Sequence, residues 1–542
     1  MVHDYGAVVI GGGHNGLICA TYLAKAGIKV GLFEARSSVG GNASTETALG
    51  GARVNICNCD HTMVRATPII EELELARHGL VYLDSDPSSA YVSWDGGPAW
   101  LQFHSIERTL DGLGKTYPAE VRNYASYLKD AIPVARLVID IANDAPTPGT
   151  VIPKVARKRF SGVATMTRWA RMSIGESMRH YFDAEQLRSP LIATGPAVWG
   201  LEPETPGTGM GSLGYALRHL IQSGRPVGGS GGLPMAVASA LTGAGGSIAC
   251  NARVSNILCE GTAVVGVRLE SGETVRAPIV VVASDPRAAL VDWLTDAPPQ
   301  AAALIERYRN QPRHDGYESK VDAVVDGTYS YNALPDDLAT RLGVTQDDLR
   351  HVTTVVSPSL ADMTKNHALS HRGVIAERPI LFANSPSVKD PSMAAGLPAG
   401  SNVFSMEVLW TPYELAAGWD GSGEPRRWLR AFGDVVTTAS GKPFIEAVQD
   451  WRLMGPREYE QQFSMARGYA PSFAGTPVSA LLGKDPELTR YSTPVDGLFL
   501  TGAATFPGAG VWGASGRNAA TAILASDFRS AKARRAVAAA SW

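Results

Sequence analysis

Residues 7–16, Ala-Val-Val-Ile-Gly-Gly-Gly-His-Asn-Gly, decide the fold. A short apolar run breaks into glycine, and Gly11, Gly13 and Gly16 stand in G-x-G-x-x-G spacing. A helix-like stretch runs from about His14 to Ala26 and ends at Gly27. A second apolar run, Lys29-Val30-Gly31-Leu32-Phe33, ends on an acid, Glu34. This order of strand, tight turn, helix, strand and acid is that of a dinucleotide-binding βαβ unit. Gly11 permits the turn, Gly13 lets the backbone approach a pyrophosphate, and Gly16 lets the helix pack on the strand. The helix N-terminus faces the phosphates, and Glu34 can accept a ribose hydroxyl.

Just beyond the unit, Glu34 leads into Arg36 and then Gly40-Gly41, the pattern E-x-R-x-x-x-G-G. Glycines there let the chain pass close to the same cofactor. This extension resembles the flavin amine oxidase and phytoene desaturase superfamily, in which the dinucleotide is FAD. Two further blocks carry the resemblance. Residues 228–287 begin Gly-Gly-Ser-Gly-Gly-Leu-Pro, continue through a strand, a valine and a hairpin, and close on Ala283-Ser284-Asp285-Pro286. They are similar to the phytoene desaturase pattern G-G-x-x-x-L-P, then A-D/N-x-P. Residues 497–528 pass from Leu498-Phe499-Leu500 through Gly502, Gly508, Gly510 and Gly513 into a helix expected to reach about Phe528. They resemble the signature L-x-G-x-x-x-P-G-x-G of the same enzymes, and Gly502-Ala503 stands where monoamine oxidases carry G-D or G-E.

The fold expected is α/β: a Rossmann-like FAD-binding domain with an inserted α+β substrate-binding domain. The FAD domain is discontinuous, made of residues 1–85, 225–300 and 485–530. Residues 86–224 and 301–484 form the substrate domain, and 531–542 an Ala/Arg-rich tail. The resemblance implies cofactor contacts at Gly11, Gly13, His14, Asn15, Gly16, Glu34, Ala35, Arg36, Gly40, Gly41, Asn42, Val254, Ala283, Gly502, Ala503, Gly510, Val511 and Trp512. The helix beginning near Gly513 would turn its positive end toward flavin N1 and O2 and so favour electron acceptance.

Composition bounds the partners. With 542 residues, 45% hydrophobic and 19% charged, the chain is an ordinary globular one of two or three domains. A net charge of −3 gives no reason to expect nucleic acid. No apolar run reaches the roughly 18 residues that span a bilayer. The βαβ unit starts at once, leaving no room for a signal peptide. Five cysteines without C-x-x-C spacing fit a reduced, cytoplasmic setting. No feature specifies an oligomeric state.

Between the blocks, residues 67–79 show helix signals: Thr67 as cap, Pro68 at the first position, Gly79 at the end. Tyr91–Trp94 and Trp100–Phe103 flank a turn and read as a hairpin, and 105–222 reads as mostly helical. Residues 151–180 carry Lys154, Arg157, Lys158, Arg159, Arg168, Arg171 and Arg179 against one acid, Glu176, with apolar residues interleaved. A solvated helix face is one reading. A peripheral contact with anionic lipid is the other, and the resemblance favours it, since phytoene desaturases are thought to dock on membranes there. Residues 317–325 alternate like a strand with one buried face.

The stretch Asn55-Ile56-Cys57-Asn58-Cys59-Asp60-His61 replaces the F-D-x-G-P usual in these relatives, which argues for a smaller or more functionalised substrate than a carotene. Its C-x-C-D-H spacing matches no standard zinc arrangement, so no metal is expected. His61 is a candidate for a polar role facing flavin or substrate, against that of a hydrogen-bonded loop residue. Lys320 is the second catalytic candidate, because several flavin amine oxidases hold a water at flavin N5 with a lysine on a substrate-domain strand. The function expected is FAD-dependent dehydrogenation of a small-to-medium, partly lipophilic substrate, CH–CH to C=C or CH–N to C=N. No second dinucleotide unit is found, so oxygen or a quinone would take the electrons. The alternatives are amine oxidation, which an aromatic cage at the flavin would favour, flavin-dependent isomerisation or saturation, and a lipid-binding escort like the Rab GDP-dissociation inhibitors. Intact glycines and Glu34 argue against the last.

Overall fold

The computed structural model describes residues 3–57, 60–473, 475 and 477–526. The expected end of the last helix at Phe528, the tail, and Asn58 and Cys59 lie outside the described residues. In chain order, the strands of the two main sheets are β1 (Ala7–Ile10), β2 (Val30–Phe33), β3 (Ser89–Ser93), β4 (Trp100–Gln102), β5 (Ser247–Ala249) and β6 (Val280–Val282). They continue with β7 (Glu318–Asp326), β8 (Thr354–Ser357), β9 (Leu381–Asn384), β10 (Ser401–Leu409), β11 (Val448–Met454) and β12 (Leu498–Leu500). Helices that shape the site are α1 (His14–Lys25), α2 (Val121–Ala142), α3 (Gly232–Gly243) and α4 (Ala514–Ala525).

The first sheet is parallel throughout, in the order β12-β6-β1-β2-β5. Val9 stands beside Val281 on one side and Leu32 on the other, and Val281 beside Phe499. Continuous runs such as Val280-Val281-Val282 suit a strand covered on both faces. One face is covered by α1, α3 and α4, the other by a small sheet built from residues 254–295. Each buried Val, Leu or Phe there contributes roughly 1.5–3 kcal/mol. The strands come from three stretches far apart in the chain.

The second sheet has the order β11-β7-β10-β9-β8-β3-β4. All neighbours are antiparallel except β3 and β8. One face, with Val321, Ala323, Phe404 and Met406, buries against helices of residues 336–447. The opposite face changes character along its width. Over β3, β4, β8 and β9 it carries Tyr91, Trp100, Val355 and Phe382 and packs under a helical layer that includes α2. Over β7 and β10 it carries Glu318, Lys320, Asp322, Ser405 and Glu407 and meets residues 55–57 of the first domain.

Two expectations are corrected here. Strand β7 has two buried faces rather than one, because segment 45–57 lies over its polar side: Lys320 is 2% and Asp322 0% exposed. Residues 67–79 are not one helix. A turn at Ile69–Glu72 and another at Leu75–His78 are separated by Glu74 in left-handed conformation, φ 51°. Ile69 and Leu73 share a helical face but Leu75 does not, and all three are buried, so the chain resets between them. In 151–180, five of the seven basic side chains are ion-paired to acids outside that window, with Asp140 taking two of them.

Candidate active site

The N-terminus of α1 is built to receive an anion. No side chain caps it, and its first turn holds no acid. Gly11 sits at φ 99°, and a Cβ on Gly16 would stand 2.2 Å from the Gly11 carbonyl, so the turn and the helix close only over glycine. In front of Gly13 the space is open, with nothing within 4 Å of an added Cβ. Gly40 bridges to Gly13, and its N–H donates to the Gly12 carbonyl at 2.8 Å, which brings Gly40, Gly41 and Asn42 to the rim. Glu34 is 8% exposed, and its carboxylate accepts from the N–H of Gly12 at 2.7 Å and of Arg36 at 2.8 Å. A carboxylate accepts about four bonds, so two remain for ribose hydroxyls. The carbonyls of Glu34 and Arg36, on either side of Ala35, accept from Ala252 and Asn251, which sets Val254 beside the same end.

The C-terminal loop closes the cradle. The Ala283 N–H donates to Ile10 and that of Thr501 to Val282, so Ala283 and Gly502 stand side by side at the strand ends. Ser515 in the first turn of α4 accepts from the Gly502 N–H at 2.9 Å and is 2.8 Å from Thr501 Oγ1. Helix α4 also lacks a side-chain cap, and its Gly516 N–H donates to Asn15 at 3.3 Å, locking the two helix N-termini together. Gly510, Val511 and Trp512 form the turn before it. His14 lies beneath that turn; burial lowers its pKa to about 4 against an opposing bond to Gly510, so it is neutral near pH 7. Two uncapped helix ends, open space at Gly13 and a buried acid at the ribose position fit FAD.

His61 is fully buried. One ring nitrogen is 3.0 Å from Tyr82 Oη, the other 2.8 Å from Ser230 Oγ, and burial with nearby His14 holds its pKa down to about 3. It joins the 55–61 loop to the start of α3. Its neighbour Asp60 is ion-paired with Arg225 at 2.6 Å and accepts from Thr353. Lys320 directs its ammonium to the Asn55 carbonyl at 2.8 Å, Ser405 at 3.2 Å, and Asp322, which also takes Arg452 at 3.1 Å.

Two carboxylates beside Lys320 lie outside the expected site residues. Glu318 and Glu407 are diagonal neighbours on β7 and β10, since Glu407 stands opposite Lys320 and Leu409 opposite Glu318. The Cys57 thiol donates to Glu318 at 3.6 Å. Among the described residues no ion pair holds either carboxylate. Both side chains, with Cys57, Asp60 and His14, keep part of their surface although protein encloses them. Burial pushes the Glu318 carboxyl up to about 6, with the Cys57 thiol and Lys320 opposing. Burial and then Glu318 push Glu407 well above the usual range. The signal was present as charge at period two, Glu318-x-Lys320-x-Asp322 and Ser405-x-Glu407, inside apolar strands.

A cleft of about 980 Å³ opens at the same end of the sheet. Its walls include Trp199, Met210, Tyr317, Trp410, Tyr469 and Phe473, with His314, His367 and His371 among them. Phe473 donates its N–H to Ala503 and Ser472 accepts from Ala509, so the cleft borders the cofactor loop. Trp410 has a left-handed backbone, φ 61°, and its indole N–H is buried with no acceptor among the described residues.

Among the described residues no group of three or more His, Cys, Asp or Glu is arranged to hold a metal, and no helix is long and apolar enough to cross a membrane. The chain is similar to pyridine nucleotide-disulfide oxidoreductase domain-containing protein 2 of Rattus norvegicus, 26% identical over 96% of this chain and 93% of that one. It is similar to the neurosporene-forming phytoene desaturase of Cereibacter sphaeroides, 24% identical over 96% and 94%. Wild-type putrescine oxidase bound to putrescine shares the fold, with a TM-score of 0.60 and 18% identity over 96% of this chain and 99% of that chain. A profile of the family described as flavin containing amine oxidoreductase matches residues 16–313, more than half the chain. The chain belongs to that family of oxidoreductases, and its cofactor is FAD.

Proposed function

We propose that the protein dehydrogenates a small-to-medium, partly lipophilic substrate, CH–CH to C=C in preference to CH–N to C=N, and passes the electrons to oxygen or a quinone. The observation that carries this is the aromatic-walled cleft bordering the cofactor loop at Ala503–Ala509. Bound FAD would supply a two-electron acceptor. The chain's residues bind and orient: the cleft walls exclude water from an apolar substrate and hold it against the loop. The name of the phytoene desaturase relative supports C=C formation. Two features disfavour an amine. Tyr317 and Tyr469 meet edge to face, 6.1 Å apart at 74°, rather than as two facing rings. The unpaired Trp410 N–H suits a substrate with an oxygen acceptor, whereas a protonated amine offers only donors.

We assign positioning roles to His61 and Lys320. His61 ties the 55–61 loop to α3, and Lys320 ties that loop to β7. A peripheral contact with anionic lipid through 151–180 completes the proposal, supported by Ile152 and Phe160, 58% and 66% exposed.

Anaerobic mixing of the yellow holoenzyme with a panel of cyclic ketones, polyenes and amines tests the assignment. A ketone or polyene should bleach the flavin and yield an alkene. Bleaching by amines alone would replace this reading with amine oxidation, and no bleaching by any member would sink it.

A further inference from the structure

Dehydrogenation removes a proton as well as a hydride, and the site must accept it. Most candidates are already committed. His61 has both ring nitrogens bonded, and Lys320 has its ammonium shared among Asn55, Asp322 and Ser405. Asp60 is held by Arg225 and Thr353, and Glu34 by the turn at Gly12. His367 is bonded to the Gly200 carbonyl at 3.0 Å. Among the carboxylates, Glu318 and Glu407 remain, half-buried and with no cation paired to either among the described residues; Tyr317, next to Glu318, lines the cleft, as do His314 and His371.

We propose that Glu318 and Glu407 are a proton-sharing pair that accepts the substrate proton. This rests on the dehydrogenation assigned above. One C–H bond breaks with its electron pair, which leaves as hydride to FAD, the oxidant. The neighbouring C–H bond breaks with its proton going to a carboxylate oxygen of the pair, and the electrons left behind form the second C–C bond. The proton passes between the two carboxyls and on to solvent.

The chemistry follows from placement. Two carboxylates side by side in an enclosed space do not both ionise, so the pair holds one proton near neutrality and can take a second. The groups facing them are Lys320 and Asp322 on β7, Cys57 and Asp60 on the loop, Tyr317, Tyr459, and Arg452 on β11. Lys320 pulls both carboxyls down but shares Asp322 with Arg452, which also pairs with Glu46, and burial outweighs it. Both carboxyls are displaced upward accordingly.

Two measurements test this. The first uses holoenzyme and protons alone. Infrared spectra recorded across pH should show a protonated carboxyl band persisting above pH 6 and lost in Glu407→Gln; its absence from the parent protein at pH 6 overturns the proposal. The second uses whichever panel member bleaches the flavin. Glu407→Gln and Glu318→Gln should keep full flavin content yet bleach roughly 10²–10⁴-fold more slowly, with Glu407→Asp partly restored. In the parent protein the bleaching rate should rise with pH through about 6, as the pair becomes able to accept. Full flavin content with unchanged rates overturns it. If no panel member bleaches the parent protein, the dehydrogenase assignment fails, while the infrared result still decides whether the pair shares a proton.

Discussion

Along the polar face of β7, two pairs of charged residues a few ångströms apart are treated in opposite ways. Lys320 and Asp322 are sealed, and every charge there has a partner: Asp322 with Lys320 and Arg452, Lys320 with Asn55 and Ser405. Among the described residues no cation is paired with Glu318 or Glu407, and both keep part of their surface open. Burying charge without a partner is unfavourable by several kcal/mol, so a chain selected for stability alone would pair these carboxylates or replace them. The sealed pair fastens the substrate domain to the 55–57 loop, and the open pair lies beside Tyr317, which lines the cleft.

The largest expected effect would break this contrast at its sealed end. Asp322→Ala strands the buried Lys320 and frees Arg452, and should lower unfolding free energy in urea by ~3–5 kcal/mol. A loss below about 1 kcal/mol would mean that the two ends are equivalent. A smaller effect of opposite sign sharpens the open end. The Glu318 carboxyl is raised from 4.5 to about 6, so its stabilising contribution is full below 4.5 and is lost as pH rises through 6. Glutamine does not titrate. Glu318→Gln should therefore gain Tm on the parent protein between pH 5 and pH 8, by the equivalent of about 1 kcal/mol once its open surface is discounted. Equal pH dependence of the two proteins would show that Glu318 is paired after all. The smallest effect lies outside both ends. Arg157 pairs with Asp140 at the surface, 71% exposed, and Arg157→Ala should move stability by less than about 0.5 kcal/mol.

The cradle was legible because its requirements are local. G-x-G-x-x-G, Glu34 and the glycines before α4 answer to steric contacts of one or two backbone atoms, and such demands leave few residue choices. The two buried faces of β7 were not legible, because what covers its polar side comes from residues 45–57, some 270 positions earlier. Charge at Lys154 through Arg179 read as a basic patch because the acids that pair with it, on α2 and at Glu204, lie outside the window. His61 was visible as a polar residue near the cofactor loop, but its partners Tyr82 and Ser230 come from two other segments. Glu407 was obscured for a related reason. Within Phe404-Ser405-Met406-Glu407-Val408 the aromatic and sulfur side chains drew the reading, and only the register with Lys320 puts the carboxylate beside Glu318.

The parallel sheet draws β1 and β2, then β5 and β6, then β12 from three distant stretches, and α4 supplies one wall of the cofactor site. During synthesis, then, the growing polypeptide exposes a finished G-x-G-x-x-G turn long before its partners β12 and α4 leave the ribosome. Flavin capture becomes a late event, and a message cut short anywhere before residue 498 yields a colourless product with an unpaired strand edge, a form that proteolysis and aggregation would clear.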